Sequence, residues 1–358
     1  MVRLQFLALH RPGRSPSQRY RIEQFLKPLA EAGFEVTYTW LLDADDDRDF
    51  YSGGVVSKAG IFFKSLWKLL LEVPSPRADI VFVQREAIML GSTVFEKLIS
   101  RKAKMVYDFD DSIWMLDVSE GNRRFAFLKN PAKTSKLIGM ADLVLAGNDY
   151  LADYAKGFNK NVEVVPTVVD TEHYKPTNSV RERGQSVNIG WSGSATTVKH
   201  FREIIPALLA LKNEYGDRVR FSLMGDADFR YEDLGIQGKA WSEQDEISEL
   251  QSFDIGLMPI PDDDWSKGKC GLKGLVYMST GIPAILSPVG VNTKIVQHGS
   301  NGLLASSIDD WQQQIARLVE DEDLRIRLAR DGRQKVIDHY SVLAWQDRLI
   351  ELLQSLLK

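Results

Sequence analysis

The chain has 358 residues, enough for about two domains, and its 44% hydrophobic and 26% charged content is that of a globular protein with a sizeable core. A formal net charge of -4 supplies no global basic field for nucleic acid. The one cysteine, Cys270, excludes a disulfide framework and fits a reducing compartment.

The opening "MVRLQFLALHRPG" reads as a first strand, because its apolar run is too short for a signal peptide and has no small-residue cleavage site. A turn with Pro12, Gly13 and Pro16 leads into the helix "RYRIEQFLKPLAEAG", which Gly33 ends, and then the strand "FEVTYTW". The run "AGIFFKSLWKLLLEV", residues 59–73, has Lys64 and Lys68 four apart on one helical face. It is either a basic amphipathic helix that lies on an anionic bilayer or a core-packed helix with two solvated lysines. No apolar stretch reaches the roughly twenty residues of a membrane span.

Alternation then continues through the strand "ADIVFVQ", the helix "FEKLISRKA", the acid-ended strand "KMVYDFDD", the strand "ADLVLAGN", the helix "DYLADYAKGF" and "VEVVPTVV". Continuous apolar strands between helices predict a parallel, doubly wound sheet. The polar stretch "DTEHYKPTNSVRERGQS", residues 170–186, lacks periodicity and reads as a linker. A second alternation follows: "VNIGWSG", the helix "VKHFREIIPALLALKNEYG", "VRFSLMGD", the helix "SEQDEISELQSF", "DIGLMPI", "GKCGLKGLVYMSTGIPAI", "GLLA" and a helix at "SSIDDWQQQIARLVE". The chain ends in an amphipathic helix, "LAWQDRLIELLQSLLK".

The stretch from Gly268 to Ile285 carries the strongest chemical signal. It sets Lys269 and Lys273 in a glycine-rich turn at a helix N-terminus, where the macrodipole disfavours cations. An anion bound there would reconcile the two, with the backbone N–H groups of Gly271 and Leu272 and the Lys273 ammonium all facing it. Cys270 in the same turn has no histidine near it in sequence and reads as a small space-filling residue.

"VNIGWSGSATTVKHF", "FSLMGD", "DIGLMPI" and "KCGLKGLVYMSTGIPAILSPVGVNTKIVQHGSNGLLAS" resemble, in order and spacing, the glycosyltransferases of family four. "SPSQRYRIEQFLKPLAEAGFEVT", "VYDFDDSIW" and "ADLVLAGNDYLADYAKGFNKNVEVVPTVVDTEHYKP" look like its bacterial branch that builds surface polysaccharide, so the resemblance covers nearly the whole chain. It implies the GT-B fold: two Rossmann-like α/β domains with parallel sheets facing across a cleft. The implied division is an acceptor-side domain over 1–168, a linker over 169–186, a nucleotide-sugar domain over 187–338 and a helix over 339–358 crossing back to the first domain. The implied reaction is metal-independent, retaining transfer from a UDP- or GDP-linked sugar to a glycan or lipid-linked acceptor, with no further cofactor. The implied setting is cytoplasmic, with the 59–73 helix as a peripheral membrane contact on the inner face.

Several positions depart from the family. Its two glutamates around the glycine turn fall here on Gly268 and Val276, and the pattern instead resembles a variant with Lys273, Tyr277 and Met278. The family arginine after the first strand of the second domain falls on Ser194, while its lysine is kept as Lys199. Gly193, Ser194 and Thr196 can still cradle phosphate, with Lys199 supplying charge and Gly225 ending the next strand. Trp241 lies where the family meets the nucleobase and either stacks on it or packs structurally. Ser242 with Asp245 reads as a helix cap.

A family histidine falls on Asp110. Asp110, with Asp111 beside it, then contacts the acceptor hydroxyl, Asp110 as a general base; a turn or cap role competes. Asp108, Asp110 and Asp111 superficially resemble the metal-binding DxD of another fold, which makes a metal the minority reading. Arg19 and Arg21 in "SQRYR" would meet a phosphate of the donor or of a lipid diphosphate acceptor, against solvated arginines at a helix start. The catalytic set is thus Asp110, Lys199 and Lys273. With the glutamates and arginine missing, a non-catalytic nucleotide-sugar binder or partner subunit is the alternative.

Overall fold

The computed structural model describes residues 1–52, 55–72, 78–87, 91–115, 130, 132–177 and 186–358. The chain divides into two compact units, Met1–Thr167 with Trp345–Lys358, and Val168–Ala344. Residues 178–185 of the polar stretch, and Val73 at the end of the amphipathic run, lie outside the described residues.

The first unit is built on strands β1 (Val2–His10), β2 (Phe34–Leu42), β3 (Ile80–Gln84), β4 (Lys104–Phe109), β5 (Leu143–Ala146) and β6 (Val162–Val164). They form one parallel sheet in the order β2-β1-β3-β4-β5-β6. Every residue of β3 and β5 is buried, as a sheet covered on both faces requires.

The second unit has β7 (Val187–Ser192), β8 (Val219–Met224), β9 (Arg230–Tyr231), β10 (Ile236–Gln237), β11 (Ile255–Met258), β12 (Ala284–Leu286) and β13 (Leu303–Leu304). Its main sheet is also parallel, in the order β13-β12-β11-β7-β8, and β9 and β10 make a small antiparallel pair. Its core gathers Trp191, Phe201, Leu208, Leu211, Ile255 and Leu257 from strands and helices alike. In each sheet the strand order reverses beside the first strand, between β1 and β3 and between β7 and β11. Ligands of open parallel sheets bind at the strand carboxyl ends beside such reversals.

Several helices differ from the expectation: Ala44–Ser52 and Ala132–Met140 were not among the predicted elements, and three further segments depart from it. The run after β1 is a helix over Pro16–Arg21, a 3-10 turn over Glu23–Phe25 and a helix over Leu26–Glu31. Pro28 explains the break: it lacks the N–H that would bond Gln24, and its ring crowds that carbonyl. The long helix after β7 splits into Val198–Glu203 and Ile205–Tyr215, because Pro206 is tolerated in a first turn but not mid-helix. The 19-residue helix Glu322–Tyr340 was not foreseen; it buries only Leu324, Leu328, Gly332 and Val336, too narrow a stripe in a charged sequence. Gly332 is needed there, since a Cβ would lie 2.9 Å from the Asn301 carbonyl oxygen.

Candidate functional site

In the second unit, the ends of β7 and β8 touch backbone on backbone. A Cβ on Gly225, whose φ is +112°, would sit 1.6 Å from the Gly193 carbonyl oxygen, and one on Gly193 would overlap the Trp191 ring at 2.3 Å. Only glycine fits either place. The loop after β7 is closed by its own hydroxyls: the Ser194 N–H donates to Thr197 Oγ1 at 3.0 Å, and Ser194 Oγ and Thr196 Oγ1 lie 2.9 Å apart. Ser194, Thr196 and Lys199 are exposed.

The helix Leu272–Ser279 starts beside this loop. Gly271, at its N-cap, has φ +71° and gives no side-chain cap to the first N–H groups of the helix. Gly271 packs on Ile295, where a Cβ would come within 2.2 Å. Lys273 Nζ stands 4.7 Å from the centroid of the Trp191 ring. Burial, and then the charge of Lys269, pull its pKa down to about 7, and no carboxylate among the described residues opposes them. Lys269 Nζ lies 5.0 Å from the Trp265 ring centroid. The buried His200 is likewise held below its ordinary pKa by burial, with Lys199 and Lys273 adding to the effect against Glu203.

The fold therefore gathers Gly193, Ser194, Thr196, Lys199, Gly225, Lys269, Gly271, Leu272 and Lys273 around the ends of β7 and β8. The segment leading to the half-buried Trp241 joins them, because the Gly225 N–H donates to the Lys239 carbonyl at 2.8 Å. The Asp245 N–H donates to Ser242 Oγ at 3.1 Å, as a cap would. The sequence reading missed Trp191 as the platform under Lys273, and it named Tyr277 only within the variant pattern, with no role.

In the first unit the ends of β3 and β4 carry a dense polar network. Arg21 forms a fully buried ion pair with Asp108, and its Nε lies 3.2 and 3.1 Å from the two carboxylate oxygens. Arg19 is buried too, with its guanidinium 5.4 Å from the Tyr20 ring centroid. Neither is a solvated arginine, and Arg21 also donates to the Val165 carbonyl. Asp110 accepts from Ser17 Oγ at 2.6 Å and from Arg85 Nε at 2.9 Å, and Asp111 lies 3.9 Å from the same arginine. Burial pushes the Asp110 carboxyl up, but Arg85, Arg21 and Ser17 outweigh it and hold the pKa below the usual carboxylate value. A carboxylate so held is a weak proton acceptor and a good anchor for Arg85.

Arg85 itself had no sequence signal. It is the one non-glycine residue with positive φ, at +63°, among the described residues. Nearby His10 Nδ1 lies 2.9 Å from Asp47 Oδ1. Among the described residues no group of three or more His, Cys, Asp or Glu is placed to hold a metal ion.

The helix Val55–Glu72 exposes Phe63, Trp67, Leu70 and Leu71, while Lys64 bridges Asp43 and Asp46 and Lys68 Nζ lies 5.0 Å from the Trp40 ring centroid. No described helix is long and apolar enough to cross a membrane.

Residues 186–321 match the family model described as Glycosyl transferases group 1. No protein of curated function is matched by the chain. Among solved structures, sucrose-phosphate synthase from Thermosynechococcus elongatus aligns with a TM-score of 0.73 at 13% identity, covering 100% of this chain and 99% of that one. Alr3699/HepE from Anabaena, in complex with UDP and glucose, aligns with a TM-score of 0.69 at 15% identity, covering 99% and 100%. A UDP-forming trehalose-phosphate synthase from Burkholderia xenovorans aligns with a TM-score of 0.65 at 13% identity over 100% of both chains. The fold is that of the GT-B glycosyltransferases.

Proposed function

We propose that the protein is a glycosyltransferase that moves a sugar from a UDP- or GDP-linked donor to a glycan or lipid-linked acceptor in cell-surface polysaccharide synthesis. One observation carries the reading: Lys273 stands at an uncapped helix N-terminus over Trp191, with no carboxylate among the described residues set against it. A cation and helix N–H groups placed together in this way suit an anion. Transfer expels a nucleoside diphosphate, so charge grows on the leaving phosphate, and fixed donors aimed at it lower the barrier. Lys273, Lys199, the first helix N–H groups and the loop Gly193–Thr196 are the donors in this reading, with Gly225 and Trp241 beside the nucleoside and Lys269 toward the sugar. The match of residues 186–321 to a glycosyltransferase family supports it.

On the acceptor side, Asp110 and Asp111 hold Arg85 and meet acceptor hydroxyls, while Arg21 and Arg19 act from beneath as buried supports. Retention of configuration and independence from metal belong to the same reading. The test is thermal stabilisation by UDP, GDP and their sugar conjugates, with and without EDTA, followed by product analysis. A melting shift with one nucleoside diphosphate and transfer that survives EDTA are expected. Activity abolished by EDTA and restored by Mn²⁺ refutes the metal-free part. Binding with no transfer to any acceptor points instead to a non-catalytic nucleotide-sugar binder.

The setting in this reading is the cytoplasmic face of a membrane, with the exposed Phe63, Trp67, Leu70 and Leu71 entering the bilayer surface. Because Lys64 is already neutralised by Asp43 and Asp46, apolar insertion outweighs charge attraction. The variant carrying Phe63→Ser and Trp67→Ser should lose flotation with vesicles, while the wild type should keep it at high salt. A wild type that stays unbound removes the membrane role.

A further inference from the structure

The ladder between β7 and β11 stops early. Its pairs are Ile189 with Ile255 and Gly190 with Gly256, whereas β7 stays paired with β8 as far as Ser192 and Met224. From Trp191 onward, β7 and β11 part, and the side chain of Tyr277 fills the gap. Its hydroxyl accepts the Ser192 N–H at 2.8 Å, lies 3.1 Å from Ser192 Oγ, and donates to the Leu257 carbonyl at 3.3 Å. One hydroxyl thus serves a donor on β7 and an acceptor on β11 that would otherwise be left without strand partners.

The fit is specific. Tyr277 is fully buried, and Gly256 makes room for its ring, since a Cβ there would come within 2.5 Å. Burial pushes the Tyr277 hydroxyl up to about 12, so it stays protonated and keeps both roles at neutral pH. Tyr277 is four residues after Lys273 on the same helix, so both project from one helix face. That face therefore touches β7 at two successive residues: Lys273 at the Trp191 ring and Tyr277 at the Ser192 backbone.

We infer that Tyr277 is a positioning residue: its hydroxyl wedges β7 from β11 and fixes the Ser192–Thr196 loop relative to Lys273, so that both meet the same diphosphate. This rests on the donor-site reading proposed above and adds the element that sets its geometry. Tyr277 itself touches no phosphate. Its effect passes through Ser192 to the loop and through the shared helix to Lys273, which makes the two halves of the site one rigid body.

The test is a double-mutant cycle on the full chain, read as UDP and GDP dissociation constants by calorimetry. Tyr277→Phe should weaken binding about tenfold or more, because it leaves the half-buried Ser192 N–H and the buried Leu257 carbonyl without this partner. The same change in a Lys273→Met background should cost less than about threefold, because the loop no longer has a lysine to be aligned with. Equal losses in the two backgrounds, or no loss in the first, overturn the inference. If the wild type binds neither nucleotide, the donor-site reading fails instead, which keeps the two failures apart. Should Tyr277→Phe melt below the assay temperature, hydrogen exchange on the wild type decides. The Ser192 amide should already be slow before ligand is added, and a fast amide in the free protein overturns the wedge.

Discussion

Replacing Lys273 by Met should lower the rate of sugar transfer by about a hundred- to a thousandfold, the range found when one preorganised donor to a developing charge is removed. Methionine keeps apolar contact with the Trp191 ring, so the loss reports the charge rather than the packing. The wild type should also show a pH signature that the variant lacks. Lys273 in the free protein has its pKa pulled down to about 7 by burial and by Lys269, and a bound diphosphate pulls it back up. Between about pH 7 and the raised value in the complex, binding takes up a proton. Affinity then falls as pH rises through that window, by at most tenfold per pH unit. In the Lys273→Met protein this contribution disappears. Folding stability moves the opposite way: with the folded pKa below the unfolded value, the unfolded chain binds more protons between them, so stability rises from pH 7 upward. The variant should therefore gain melting temperature over the wild type most clearly below pH 7. Turnover unchanged by the substitution, or a pH slope that persists in it, removes Lys273 from the leaving-group role.

The second large effect is on stability. Replacing Arg21 by Ala strips a fully buried Asp108 of its guanidinium partner, and breaking such a pair costs about 3–5 kcal/mol. At about 2–4 °C per kcal/mol for a unit of this size, the melting temperature should fall by roughly 6–20 °C. Burial outweighs Arg21 even in the intact pair, so the Asp108 pKa is already above its ordinary value, and the variant should hold the carboxyl protonated at neutral pH. Adding Asp108→Asn to Arg21→Ala should recover part of the loss, because the amide is neutral without the proton that the unpaired carboxyl must take up on folding. A single variant that melts with the wild type would show that Arg21 is not the support its burial indicates.

Fold class was legible because burial on both faces of a parallel sheet leaves a direct mark: runs such as Ile80–Gln84 and Leu143–Ala146 are apolar throughout, with helices between them. Breaks inside helices were less so. Pro28 and Pro206 were both visible, yet each lies in a run whose apolar spacing continues past it, and only the packed structure shows where the axis turns. Glu322–Tyr340 was missed because its buried stripe is one residue wide and one of the four is a glycine.

At the site, the glycine turn and its lysine could be read because a glycine N-cap and a lysine at a helix start are local features that charge alone makes improbable. Arg85 could not be read, because its left-handed backbone and its grip on Asp110 depend on strands 25 residues apart in the chain. The same holds for Tyr277, which looks like any apolar-face residue of a helix until Ser192, 85 residues earlier, is placed against its hydroxyl. The two parallel sheets, most of the helices between them and the lysine-bearing glycine turn were legible from the chain alone, since each follows from near neighbours along it. Which polar groups face one another was settled in three dimensions: Arg21 is spent on Asp108, Asp110 holds Arg85, and one tyrosine hydroxyl bonds both β7 and β11. Hydrogen bonds and ion pairs act over about 3–4 Å in space, and separation along the chain does not encode that distance.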